Sequence, residues 1–100
     1  MGYTLHYQAT GPHPLDDDVL ERLNAHASEV TDGLSETAED FSWRVDDGGT
    51  KVWGWTKPGL DMMDMEMDVD TITAAMSTVA ELLPGWKVTL TDDFDSELYP

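Results

Sequence analysis

The sequence predicts a single α+β domain, a two-layer sandwich with two helices on one face of a four- or five-stranded, antiparallel-rich sheet. The apolar residues recur about every 2 residues, as in a strand, and then about every 3.6 residues, as in a helix. This change and its reversal occur twice along the chain. Glycine and proline adjoin where the spacing changes, at Gly11-Pro12, Pro58-Gly59 and Pro84-Gly85. The chain has 100 residues, of which 40% are apolar, and no linker divides it. That length suits one domain with a modest core, covering residues 1–100.

The first third of the chain predicts a strand and then a helix. Residues 3–9 alternate between apolar and polar side chains, as a half-buried strand does. From residue 15 to residue 32 the apolar residues follow a helical stripe instead, and Gly33 is placed to end that helix. The run Asp16-Asp17-Asp18 falls in the first helical turn, where negative charge complements the helix dipole. The three aspartates therefore need no catalytic or metal-binding explanation.

Residues 41–57 predict a β-hairpin, because two alternating segments flank the turn sequence Asp46-Asp47-Gly48-Gly49. A three-residue loop would turn all the hairpin's tryptophans and Phe41 towards the core. A two-residue loop would instead place two tryptophans and three cations together on the opposite face. That second face would consist of Ser42, Arg44, Lys51, Trp53, Trp55 and Lys57. We favour the core arrangement, with Trp43, Trp53 and Trp55 mostly buried, because each exposed indole forgoes about 2 kcal/mol of burial.

Residues 61–70 alternate methionine with acidic residues and fit two structures. As a strand, the segment would bury Met63, Met65 and Met67 and expose the acids. As a helix, it would continue a 3-4 apolar stripe to Leu83, but Asp and Glu would then stand four residues apart with no cation to relieve them. We favour a strand to Val69 and a helix over 71–83, with Asp70 as its N-cap.

The last elements are a strand over residues 86–91 and an acidic tail over 93–100 that we expect to be mobile. The predicted order is therefore β-α-β-β-(β)-α-β. Right-handed crossovers would place both helices on one side of the sheet, giving a two-layer sandwich of ferredoxin-like type. Many unrelated functions use that architecture, so the fold alone does not indicate one.

The charge of the chain excludes two classes of partner. It carries 21 acidic against 5 basic residues, a formal charge of −16. Such a surface repels nucleic-acid phosphates and anionic membranes. Two interpretations remain: adaptation to a salt-rich solvent, as in proteins of halophilic organisms, and recognition of a basic partner. Adaptation predicts a thermal midpoint that rises with KCl concentration, because salt screens carboxylate repulsion.

The function that we predict is non-catalytic binding of a basic protein, of the kind that inhibitor or immunity proteins perform. The partner-binding residues would be four acids on the exposed face of the methionine segment: Asp64, Glu66, Asp68 and Asp70. The alternative is an intracellular domain of a salt-adapted organism that binds a small ligand, or acts as an enzyme, on the hairpin face. That ligand face would comprise Trp53, Trp55, Arg44, Lys51 and Lys57.

No cofactor, metal or catalytic residue is predicted. The chain contains no cysteine, and neither a phosphate-binding loop nor a hydrolase or metalloprotease motif occurs. The amino terminus has no signal-peptide pattern, so we expect a cytoplasmic protein, either a monomer or a homodimer.

Overall fold

The computed structural model describes residues 3–99, which form a five-stranded antiparallel sheet and two helices. The strands are β1 (Leu5–Thr10), β2 (Arg44–Asp46), β3 (Lys51–Thr56), β4 (Lys87–Asp92) and β5 (Glu97–Tyr99), and the helices are α1 (Asp17–Gly33) and α2 (Met62–Leu82). The strand order across the sheet is β2-β3-β1-β4-β5. The predicted α+β class is confirmed. The ferredoxin-like assignment is not, because the fifth strand follows β4 instead of preceding the second helix.

One core lies between the sheet and the helices. The inner face of β1 contributes Leu5, Tyr7 and Ala9, all fully or nearly buried. The helices contribute their buried apolar residues, namely Leu23, Ala27 and Val30 from α1 and Ile72, Ala75, Met76 and Val79 from α2. The opposite face of β1 carries His6 and Gln8, which are exposed. The sheet therefore has one covered face and one open face, which is the usual arrangement of an antiparallel sheet packed on one side.

The segment 61–70 is helical, so the prediction of a strand is wrong. Pro58-Gly59 ends β3, and Asp61 rather than Asp70 is the N-cap of α2. The repulsion that argued against a helix is small, a few tenths of a kcal/mol for each pair of like charges. It is relieved further because Asp68 turns inward and accepts three hydrogen bonds, from Ser35 N, Ser35 Oγ and Gly59 N. The predicted helix over 71–83 is confirmed as the second part of α2.

The acidic segment after β4 contains a fifth strand, β5, which the apolar pattern did not predict. Asp92 organises the turn that precedes β5 by accepting hydrogen bonds from Phe94 N (2.9 Å) and Ser96 N (3.0 Å). Its other carboxylate oxygen accepts a hydrogen bond from the Tyr3 hydroxyl at 2.7 Å. Hydrogen bonds to one aspartate, which no apolar period reveals, thus position β5 so that Tyr99 pairs with Leu90 and Glu97 pairs with Thr91.

The same hydrogen bonds predict a pH-dependent stability. They lower the pKa of Asp92 below its ordinary value of 3.8, with the Tyr3 hydroxyl as the largest cause. This stabilisation is complete above that ordinary value and is lost as the pH falls through the lower pKa of the folded state. The urea midpoint of Asp92→Asn should therefore fall less than that of the wild type between neutral and strongly acidic pH. The exposed Asp95→Asn is the control, and identical acid profiles for Asp92→Asn and the wild type would contradict the prediction.

Candidate functional site

The hairpin register decides where the tryptophans lie, and it matches neither loop that we considered. Arg44 pairs with Trp53, Val45 with Val52 and Asp46 with Lys51, which leaves a four-residue loop over 47–50. Asp47, Gly48 and Gly49 all have positive φ, a conformation that glycine adopts most easily. The loop is held from outside, since Thr50 O and Gly49 O accept hydrogen bonds from Gly11 N and Leu15 N.

This register divides the three hairpin tryptophans between the two faces. Trp43 is buried and packs edge-on against Tyr7 and Phe41, at 4.8 Å and 5.6 Å between ring centroids. Trp53 is half-buried and Trp55 is 39% exposed, both on the open face. The prediction of burial is thus correct for Trp43 and wrong for Trp55. The observed loop has two residues more than the two-residue alternative, and an even difference leaves each side chain on the same face of the hairpin. The tryptophans therefore lie on the faces that the two-residue alternative predicted.

Trp53, Trp55 and Arg44 form a stacked cluster on the open face. The two indole rings lie 5.7 Å apart with an interplanar angle of 22°. The Arg44 guanidinium carbon lies 4.6 Å from the Trp55 ring centroid and 5.5 Å from that of Trp53. These distances fit cation–π attraction between the guanidinium and the two indoles.

Cross-strand pairing extends this cluster into three rows on the open face. Gln8 of β1 lies between Trp53 and Thr89, and His6 lies between Trp55 and Thr91. The third row is Lys51, Thr10 and Lys87. The large indoles on β3 and the short threonines on β4, with β1 between them, line a shallow concavity of about 310 Å³. It is lined by His6, Tyr7, Gln8, Lys51, Trp53, Gly54, Trp55, Thr89 and Thr91.

The sequence-predicted ligand face is therefore brought together in large part. Trp53, Trp55 and Lys51 line the concavity. Arg44 lines a neighbouring concavity of about 420 Å³ together with Glu39 and Asp40. Trp55 lines both concavities. Lys57 is exposed beyond the end of β3 and lines neither. His6, Gln8, Thr89 and Thr91 were missed, because only the order of the strands shows that β1 pairs with β3 and that β4 follows on the other side of β1.

The four acids predicted to bind a partner do not share one surface. Asp68 is buried, 2% exposed, and its carboxylate accepts three hydrogen bonds from the protein. Asp64 is half-buried on the same side of α2, whereas Glu66 and Asp70 are exposed on the other side. The period of the helix, about 3.6 residues, causes this separation, since residues four apart share a side and residues two apart do not.

Glu66 and Asp70 lie instead among exposed methionines. Met62, Met63 and Met67 are 74%, 72% and 63% exposed, and Leu60 just before the helix is 79% exposed. Spacing by four residues places Met62, Glu66 and Asp70 in one column of the helix surface and Met63 and Met67 in the next. We call these five residues the outer face of α2. Glu66 and Asp70 also line a concavity of about 290 Å³ with Tyr3, Met65 and Val69.

The three histidines do not converge, since they lie on β1, in the loop after it and on α1. His6 Nε2 lies 3.1 Å from an Asp93 oxygen, whereas burial lowers the pKa of His26. In residues 3–99 no three His, Cys, Asp or Glu side chains are grouped to hold a metal ion. Over the same residues, neither helix is both long enough and apolar enough to cross a membrane.

Comparison with known proteins identifies no relative. No protein-family model matches the chain, and neither a curated protein nor a solved structure is significantly similar to it.

Proposed function

We propose that this protein is a non-catalytic binding module that recognises a basic, amphipathic segment of a partner protein through the outer face of α2. The observation that carries the proposal is the exposure of Met62, Met63 and Met67 on a helix that is also acidic. Large apolar side chains that stand together on a strongly charged surface mark interaction sites. Methionine suits such a surface because its flexible, polarisable side chain adapts to the partner.

The charges around the outer face indicate the chemistry of the partner. No Lys or Arg occurs between Lys57 and Lys87 in the sequence, whereas Glu66 and Asp70 stand beside the methionines. A cationic segment would be attracted over long range and would then bury its apolar residues against Met63 and Met67. An amphipathic helix combines both features in one element.

This proposal changes the residues assigned from the sequence but keeps the class of partner. Asp68 serves the fold and is removed from the binding surface, and Asp64 lies on the other side of the helix. Glu66 and Asp70 remain, and the methionines take the central role that the acids were expected to have. Adaptation to high salt is compatible with this function, because the remaining acids are spread over the whole chain.

A cationic amphipathic peptide of lysine and leucine tests the surface directly. Met63→Ser with Met67→Ser should weaken its binding about 10-fold or more, since burying one methionine contributes roughly 1.5–3 kcal/mol. Val45→Ser is the control, because Val45 is 47% exposed and lies on β2, at the edge of the sheet opposite β5. Equal affinity of the double variant and the control would contradict the proposal.

The charge contribution is tested separately. Glu66→Gln with Asp70→Asn should weaken binding at low salt and have little effect at high salt, where exposed charges are screened. Asp17→Asn with Asp18→Asn removes the same charge from exposed positions on α1. If both pairs of substitutions weaken binding equally, the peptide responds to net charge alone and the assigned surface is wrong. The natural partner would then be sought as a lysate protein captured by the wild type but not by the methionine variant.

We also propose that β1 to β4 with the two helices form a ferredoxin-like unit to which β5 is added. The support is that β1 lies between β3 and β4 and that all neighbouring strands are antiparallel. Backbone contacts between β1 and β3 measured by NMR test this arrangement, and a β1–β2 pair in their place would contradict it.

A further inference from the structure

We propose that the concavity on the open face of the sheet binds a purine nucleoside monophosphate, with the base against Trp53 and Trp55 and the phosphate at Lys51. This site is separate from the outer face of α2. Its volume of about 310 Å³ lies at the lower end of the range for small-molecule sites, about 300–1,000 Å³.

The indoles supply an aromatic surface that stays partly exposed on the open face of the sheet. Trp55 is 39% exposed. This exposure is costly for a small domain, because its four tryptophans are a large share of the apolar groups that it could bury. Stacking and the Arg44 guanidinium hold the two rings in place, so a bound base would meet a prearranged surface. Aromatic platforms of this kind bind nucleobases through their flat faces.

The polar residues that line the concavity fit the edge of a heterocycle. Gln8, Thr89 and Thr91 lie beside the indoles in the paired rows. An amide and two hydroxyls offer both donors and acceptors. A benzene ring would leave these groups unused, whereas a purine presents ring nitrogens and exocyclic groups to them.

The charge of the residues that line the concavity favours an anionic ligand near Lys51. None of the nine residues lining the concavity is acidic, although the chain contains 21 acids, and Lys51 is one of the nine. The neighbouring acids are partly occupied, since Asp93 accepts hydrogen bonds from Thr4 N and His6 and Asp46 accepts one from Asp47 N. The charge of −16 opposes a polyanion, so the structure favours a single nucleotide over a nucleic-acid strand.

The test is an NMR titration of the folded, full-length protein with adenosine 5′-monophosphate in molar KCl, which screens the general repulsion. The indole N–H signals of Trp53 and Trp55 should shift. Those of Trp43, in the core, and Trp86, which lines a concavity with Pro12 and Leu83, should not. Absent shifts, or shifts of all four signals alike, would overturn the proposal.

Three variants assign the contacts. Trp55→Ala should weaken binding roughly 10-fold, as expected for the loss of one stacking contact. Lys51→Gln should weaken binding of the monophosphate but not of adenosine, whereas Lys57→Gln, the same change outside the concavity, should weaken neither. Equal losses for the two lysine variants would overturn the phosphate site. Tighter binding of an oligoadenylate than of the monophosphate would overturn the assignment to a single nucleotide.

Discussion

Replacing Gly54 with alanine is expected to destabilise the fold by about 3 kcal/mol or more, because the site has no room for a methyl group. An added Cβ would lie 2.5 Å from the Ser42 carbonyl oxygen and 2.7 Å from the Tyr7 ring. Neither atom can move freely, since one belongs to the backbone and the other to a ring buried against Phe41. The Tyr7 hydroxyl also donates to Ser42 O at 2.6 Å and accepts from Ser42 N at 3.0 Å, and the methyl group would break both bonds.

Urea denaturation measures the effect, and Gly33→Ala is the matched control. No atom lies within 4 Å of a Cβ built at Gly33, so that variant should be as stable as the wild type or slightly more stable. Tyr7→Phe gives a milder test if the Gly54 variant does not fold, because it removes the hydrogen bonds at a cost of roughly 1–3 kcal/mol and keeps the ring. An unchanged midpoint for Gly54→Ala would show that Ser42 and Tyr7 do not pack against Gly54 as described.

Replacing Asp68 with alanine is expected to cost about 3 kcal/mol, because three hydrogen-bond donors would lose one buried, charged acceptor. The donors are Ser35 N at 3.0 Å, Ser35 Oγ at 2.6 Å and Gly59 N at 2.8 Å. They belong to the segment after α1 and the turn before α2. One carboxylate thus joins the two helices through their connecting segments, and its loss should loosen both.

Two further variants separate this role from general charge effects. Asp70→Ala removes an acid from the exposed side of the same helix and should change stability by no more than about 0.5 kcal/mol. Asp68→Asn should destabilise the fold, though less than Asp68→Ala, because the amide keeps one acceptor oxygen and presents N–H groups to the donors that faced the other carboxylate oxygen. If Asp68→Asn proved as stable as the wild type, the carboxylate would not be the acceptor that the structure shows.

Local patterns predicted most of the elements correctly, because those elements depend on which residues alternate or recur. β1, α1, the hairpin and β4 all lie where the apolar period placed them. The methionine segment failed because alternation over ten residues fits a strand and a helix stripe equally well. The outcome depended on Asp68, whose hydrogen-bond donors come from residues 9 and 33 positions away.

The candidate sites show the same division between local and long-range information. The sequence alone determined the fold class, the acidic surface and the grouping of Trp53, Trp55 and Arg44 on one hairpin face as one of two alternatives. The tertiary structure decided between those alternatives, because contacts of Gly49 and Thr50 with residues 11 and 15 hold a four-residue loop. It also placed β1 beside the indoles, with β4 next to β1, and it turned Asp68 inward. Strand order and buried hydrogen bonds decide these features because they join residues that are distant in the sequence.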